Sequence, residues 1–111
     1  RVGANPEALQ AVKQADMIVI APGNFYSSII PSFLVDGVSE AISKSKAKKI
    51  YISNLLTNPG HTDGFAVHNF VSELERLTKA RFIDTVIYNT SFPTGFLRRL
   101  RREKKEFTYF I

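Results

Sequence analysis

Apolar residues recur along the chain with two periods that take turns. Ala8, Leu9, Val12 and Ala15 share one face at helical spacing. They follow Asn5, Pro6 and Glu7, residues suited in turn to a helix cap, its first position and its positive end. Met17-Ile-Val-Ile20 is then a short continuous apolar run, the length of a buried strand. Ala21-Pro-Gly-Asn24 breaks the pattern. Ile29, Ile30, Phe33, Leu34, Val38, Ala41 and Ile42 resume helical spacing, so a single second helix is predicted after Ser27 or Ser28, with Gly37 inside it. Lys49-Ile-Tyr-Ile-Ser53 reads as the next strand, and Thr57 to Gly64 as a long turn-rich loop. Val67, Phe70, Val71, Leu74 and Leu77 lie on one face of a third helix, and Asp84 to Tyr88 forms a third strand. Pro93 opens a fourth predicted helix, and residues 107–111 alternate as a fourth strand.

Strands separated by helical crossovers predict an α/β fold with a mostly parallel sheet and helices on its faces. Ligands of such sheets bind beyond the carboxyl ends of the strands. The element order brings residues 21–28, 54–64 and 89–94 to that edge, and all three segments are rich in Gly, Pro, Asn, Ser and Thr.

Composition narrows the class. A chain of 111 residues with 44% hydrophobic and 23% charged residues is one ordinary globular domain. No apolar run approaches the roughly 18 residues of a membrane span. The absence of cysteine excludes a disulfide scaffold, a thiolate zinc site and a cysteine nucleophile, and fits a cytoplasmic protein. The first residue is Arg1 and the last five are strand-like, so the expectation is a fragment of a larger domain. The net charge of +5 is concentrated: residues 98–105 hold six cations and one anion, while the rest carries nine of each. That segment reads as the solvated face of a helix. Nucleic acid is not the expected partner, because no stacking aromatics are interleaved with the cations.

Three residue groups could carry chemistry. Ala21 to Ser28 joins a strand to a helix; Gly23 permits a sharp turn or close approach of a ligand. Ser27 and Ser28 stand where free N–H groups favour an anion, with an ordinary N-cap at Ser27 as the competing reading. Asn54 to Gly64 is long for an α/β connection and contains one carboxylate, Asp63. Asp63 suits a metal ion, a ribose hydroxyl, a catalytic base or the cap of the third helix. His61 and His68 lie seven residues apart with no third ligand at suitable spacing, so they make no metal site. No catalytic residues are assigned.

Two of these segments carry a resemblance. Ala15-Asp-Met-Ile-Val-Ile-Ala-Pro-Gly-Asn-Phe-Tyr-Ser-Ser-Ile-Ile-Pro31 resembles the strand, loop and helix of the CofD/YvcK-like family. Ser45-Lys-Ala-Lys-Lys-Ile-Tyr-Ile-Ser-Asn-Leu-Leu-Thr-Asn-Pro-Gly-His-Thr-Asp-Gly64 resembles a second long stretch of it. The resemblance implies a three-layer Rossmann-like domain, of which this chain is a part that lacks the family's glycine-rich loop. It implies a phosphorylated or nucleotide-type ligand at Gly23, Asn24, Tyr26, Ser27 and Ser28, and at Asn54, Thr57, Pro59, Gly60, Thr62 and Asp63. Ser27, Ser28 and nearby N–H groups would take phosphate; Asn54, Thr57 and Asp63 would take sugar hydroxyls or magnesium. The function it implies first is a uridine-diphosphate-sugar-binding regulatory protein of the gluconeogenesis-factor type, linked to carbon metabolism and cell-wall growth. The alternative is an enzyme like 2-phospho-L-lactate transferase, passing a phospholactyl group to a deazaflavin with magnesium. Self-association is also implied. Against the family pattern, Ala21 stands for Gly, Asn58 for Gln, His61 for Glu and Phe70 for His.

Overall fold

The structure is a computed structural model, and it describes residues 2–91 together with Gly95. The fourth helix, the basic segment 98–105 and the fourth strand expected from the sequence lie outside the described residues.

The local signals near the amino terminus act as expected. Helix α1 spans Pro6–Gln14, and the Asn5 side chain accepts the Glu7 N–H at 2.9 Å. Three strands follow: β1 (Met17–Ile20), β2 (Lys48–Ile52) and β3 (Thr85–Ile87). They form one sheet in the order β1-β2-β3, and both pairings are parallel. The chain is therefore α/β, with its strand carboxyl ends on one edge.

The single second helix expected from the spacing is three pieces. A π-helical turn at Phe25–Ile29 runs into α2 (Ile30–Phe33), and α3 (Val38–Lys44) begins afresh. Pro31 has no N–H to give the turn before it, so a regular α ladder cannot pass through that position. Gly37, at φ 91°, turns the backbone left-handed ahead of α3, a conformation that costs glycine nothing. Apart from Leu34, which is exposed, the apolar spacing survives the break because the pieces still face the same core.

Helix α4 spans Val67–Thr78. Asp63 does not cap it. Asn69 does part of that work, its side chain accepting the Ala66 N–H at 2.8 Å.

The register decides which face of the sheet is covered. Ile18 pairs with Lys49, Ile20 with Tyr51, and Tyr51 with Val86, so these residues share one face. The core gathers Ile18, Ile20, Tyr51 and Val86 with Val12 of α1, Ile30 and Phe33 of α2, Ile42 of α3 and Phe70 and Leu74 of α4. All four helices thus pack on that face. For the helices between strands, monotonic strand order with right-handed crossovers has this consequence, since each step in the same direction sends its helix to the same side; α1 precedes β1 and meets the same core through Val12. Of the three layers expected, the described residues form two.

Candidate functional site

The turn after β1 and the loop after β2 meet at the carboxyl end of the sheet. Adjacent parallel strands deliver both chains there. Asn54 then joins them: its Oδ1 accepts the Gly23 N–H at 3.1 Å, and its Nδ2 donates to the Gly23 carbonyl at 2.7 Å. This reciprocal pair spans 31 positions of sequence and satisfies both backbone groups of the turn.

Rings fasten the same junction from below. Phe25 of the turn, Phe65 at the end of the loop and Phe70 of α4 form an edge-to-face triangle, with centroids 5.1, 5.2 and 6.3 Å apart. Each such pair adds about 0.5–1.5 kcal/mol beyond its buried area. Phe25 and Phe70 are completely enclosed. Position 70, where the family pattern has His, is thus a packing position in this chain.

Above the triangle, Tyr26 lies edge-on to His61 with centroids 6.5 Å apart. Its hydroxyl donates to Glu73 Oε1 at 3.2 Å. Arg76 holds the same carboxylate through Nε at 2.7 Å and a terminal nitrogen at 2.8 Å. Desolvation, then the Glu73 charge, pushes the Tyr26 phenol up. Hydrogen bonding to Arg76 holds Glu73 below the usual carboxylate range. Glu73 and Arg76 were not among the residues singled out from sequence; their signal was an oppositely charged pair at i, i+3 on the third helix.

The expected site residues divide by exposure. Asn24, Tyr26, Ser27, Ser28, Pro59, Gly60 and Asp63 are exposed, while Gly23 and Asn54 are half-buried. Thr57 and Thr62 are buried. Thr62 Oγ1 accepts the Asn58 N–H at 2.7 Å, so it shapes the loop from inside. Asp63 Oδ2 accepts the Gly60 N–H at 2.6 Å, closing a turn in which Gly60 takes φ 77°.

The helix cap lies earlier than Ser27. Asn24 caps the π turn, its Oδ1 accepting the Ser27 N–H at 3.3 Å. Its carbonyl accepts the N–H groups of Ser28 and Ile29 at 2.9 and 3.1 Å. The Ser27 and Ser28 amides are therefore engaged within the protein. The groups of that turn that remain for a ligand are the serine hydroxyls and the leading N–H of Tyr26, since Phe25 is enclosed.

Gly23 is instructive. Its φ lies outside the left-handed region, and an added Cβ would meet only Ile29 and Ser28 atoms at 3.6 and 3.7 Å, an ordinary contact. The fold itself does not require glycine there.

Among the described residues the turn and the loop themselves carry no Lys or Arg, since residues 14–43 and 50–75 contain none; the nearest cation is Arg76, held by Glu73. Among the described residues no cluster of three or more His, Cys, Asp or Glu could hold a metal ion.

Comparisons with known proteins agree with this arrangement of strands and loops. The family model for 2-phospho-L-lactate transferase CofD matches residues 1–110. A Thermotoga maritima protein of the gluconeogenesis-factor group is 48% identical over 107 residues, which cover 96% of this chain and 34% of that protein. The gluconeogenesis factor of Bacillus subtilis is 39% identical over 99 residues, 88% of this chain and 31% of the relative. A crystal structure of a Bacillus halodurans UPF0052 protein superposes with a TM-score of 0.90 at 30% identity, over 98% of this chain and 34% of that one. The chain thus spans about a third of the length of the relatives it matches.

Proposed function

This chain belongs to the CofD family, and from that premise we propose that its rim binds the phosphorylated part of a nucleotide sugar, in a regulatory protein of the gluconeogenesis-factor type. The observation that carries the reading is the Asn54–Gly23 pair, which makes one surface of two polar loops at the strand carboxyl ends. The names of the relatives favour the regulatory branch over the transferase.

The division of labour follows from what is exposed. Ser27 and Ser28 hydroxyls, with the leading N–H of Tyr26, hold phosphate oxygens. Asp63 accepts hydrogen bonds from sugar hydroxyls. Asn54 acts by position: both ends of its amide are occupied by Gly23. Glycine at position 23, which the fold does not need, keeps a methyl group out of the path of the ligand.

Gly23→Ala separates these roles. The melting temperature should move by less than about 3 °C, since the added Cβ meets no close neighbour. Affinity for uridine-diphosphate glucose, measured by calorimetry, should fall at least tenfold. Unchanged affinity would remove the ligand from this turn.

The transferase reading is kept by one observation, the description of the matching family model. Magnesium is usually held by one or two carboxylates and the substrate's own phosphates. Asp63 is the exposed carboxylate that would serve, its Oδ2 already steadied by Gly60. Stabilisation in melting experiments by a guanosine nucleotide with deazaflavin and magnesium, and none by uridine-diphosphate glucose, would favour that branch.

A further inference from the structure

Two rings stand exposed where the turn and the loop meet: Tyr26 comes from the turn and His61 from the loop. Tyr26 is held on two sides. Its ring lies edge-on to the enclosed Phe25, with centroids 5.1 Å apart and planes at 86°. Its hydroxyl donates to Glu73, which Arg76 grips through two nitrogens. Ordering an exposed side chain costs rotamer freedom, and Tyr26 is not part of the core. His61 sits on a held backbone, its N–H donating to the Asn58 carbonyl at 3.1 Å. Its ring therefore moves by its own torsions, and the terminal one of a histidine is broad.

We propose that Tyr26 and His61 clamp the flat base of the nucleotide, beside phosphates held on Ser27 and Ser28. The proposal rests on the reading of the rim as a nucleotide-sugar site, and it assigns the part of the ligand that reading leaves without a partner. The spacing carries it. The two centroids are 6.5 Å apart, with planes at 71°. A flat ring held between two others needs about 7 Å, twice the carbon contact distance of about 3.5 Å. Turning the imidazole parallel to the Tyr26 ring, with an outward shift of about 0.5 Å, makes that slot. Ser27 follows Tyr26 directly, so base and phosphate fall within reach of one nucleotide. The His61 half of the clamp is particular to this chain, because the family pattern has Glu there and a carboxylate cannot stack.

The test titrates uridine-diphosphate glucose into the parent chain, His61→Ala and His61→Phe. His61→Ala should bind about tenfold more weakly, the effect of losing one stacked ring. His61→Phe keeps a flat ring and should bind within about threefold of the parent. Both should melt within about 3 °C of the parent, because His61 is exposed. In proton NMR, ring currents should move the uracil ring signals upfield in complexes with the parent and His61→Phe, and by less with His61→Ala. Affinity retained in His61→Ala, or lost equally in both variants, overturns the clamp and leaves the phosphate reading standing. That reading fails separately, if replacing Ser27 and Ser28 by alanine leaves affinity unchanged. A parent chain that does not bind the ligand overturns both.

Discussion

The two ends of the sheet are built from different chemistry. At the carboxyl end stand glycine, asparagine, hydroxyls and a single exposed carboxylate, Asp63, with no Lys or Arg in residues 14–43 or 50–75. At the amino end the helices finish and the cations collect: Lys13 and Lys44 in the last turns of α1 and α3, Lys48 and Lys49 at the start of β2, and Lys79 closing α4. Helix carboxyl ends carry partial negative charge, so cations there stabilise the fold without any ligand. The difference teaches that, among the described residues, the cations do not gather at the end where a ligand fits. Where a ligand fits, recognition relies on neutral donors held in place by packing. Where charge is dense, it serves the helices.

The comparison can be broken most forcefully at the aromatic triangle. Phe70→Ala should cost about 3–5 kcal/mol in denaturant unfolding, because it empties a fully enclosed ring position beneath the rim. A cost below about 1 kcal/mol would mean that packing does not hold the two loops together.

Tyr51, in the middle of β2, comes next. Burial pushes its phenol up to about 12, and its hydroxyl has no partner among the described residues. A phenol that titrates higher when folded stabilises fully below the unfolded value of about 10, and that stability is lost as pH rises through the folded value. Alkaline unfolding between these limits should therefore cost roughly 3 kcal/mol. Tyr51→Phe should abolish the alkaline loss and gain up to about 1 kcal/mol at neutral pH by removing an orphaned donor. A variant that unfolds in alkali as the parent does would assign the loss elsewhere.

Polar staples at the two ends give a paired contrast. Asn54→Ala removes both bonds to Gly23 and should cost about 1–3 kcal/mol. Asp84→Ala removes the acceptor that takes the Lys49 N–H at 2.8 Å, and should cost about 1 kcal/mol. Only the first should weaken uridine-diphosphate glucose binding; an equal effect on binding from both would erase the distinction between the ends.

The smallest effect is expected at Glu73. Its pKa is held low chiefly by Arg76, so its contribution is present above the unfolded value of about 4.3 and lost as pH falls through the folded one. The pair contributes little, because its Arg76 side is largely exposed to water. The difference in melting temperature between the parent and Glu73→Gln should close on acidification from pH 6 to pH 3.

What could be read beforehand was local. Asn5, Pro6 and Glu7 announce α1 because a cap needs only its neighbours. The three strands follow from apolar runs of the right length. The single second helix failed because an apolar spacing is indifferent to backbone breaks, whereas Pro31 and Gly37 act on hydrogen bonds and φ. Ser27 looked like a cap, yet Asn24 was nearer the start of the turn and has the better reach. The Asn54–Gly23 pair was illegible: its partners are 31 positions apart and meet only once β1 and β2 pair in register. Which sheet face the described helices leave uncovered was hidden for a related reason, since Met17-Ile-Val-Ile20 reads as apolar on both sides and sequence does not show which side the helices take.

The central claim, that turn and loop form one binding surface, is tested most directly by calorimetric titration of uridine-diphosphate glucose into three proteins: the parent chain, Ser27→Ala with Ser28→Ala, and Asp63→Ala. Each variant should bind at least tenfold more weakly than the parent while melting within about 3 °C of it. If either variant retains the parent's affinity, the two loops do not share a ligand.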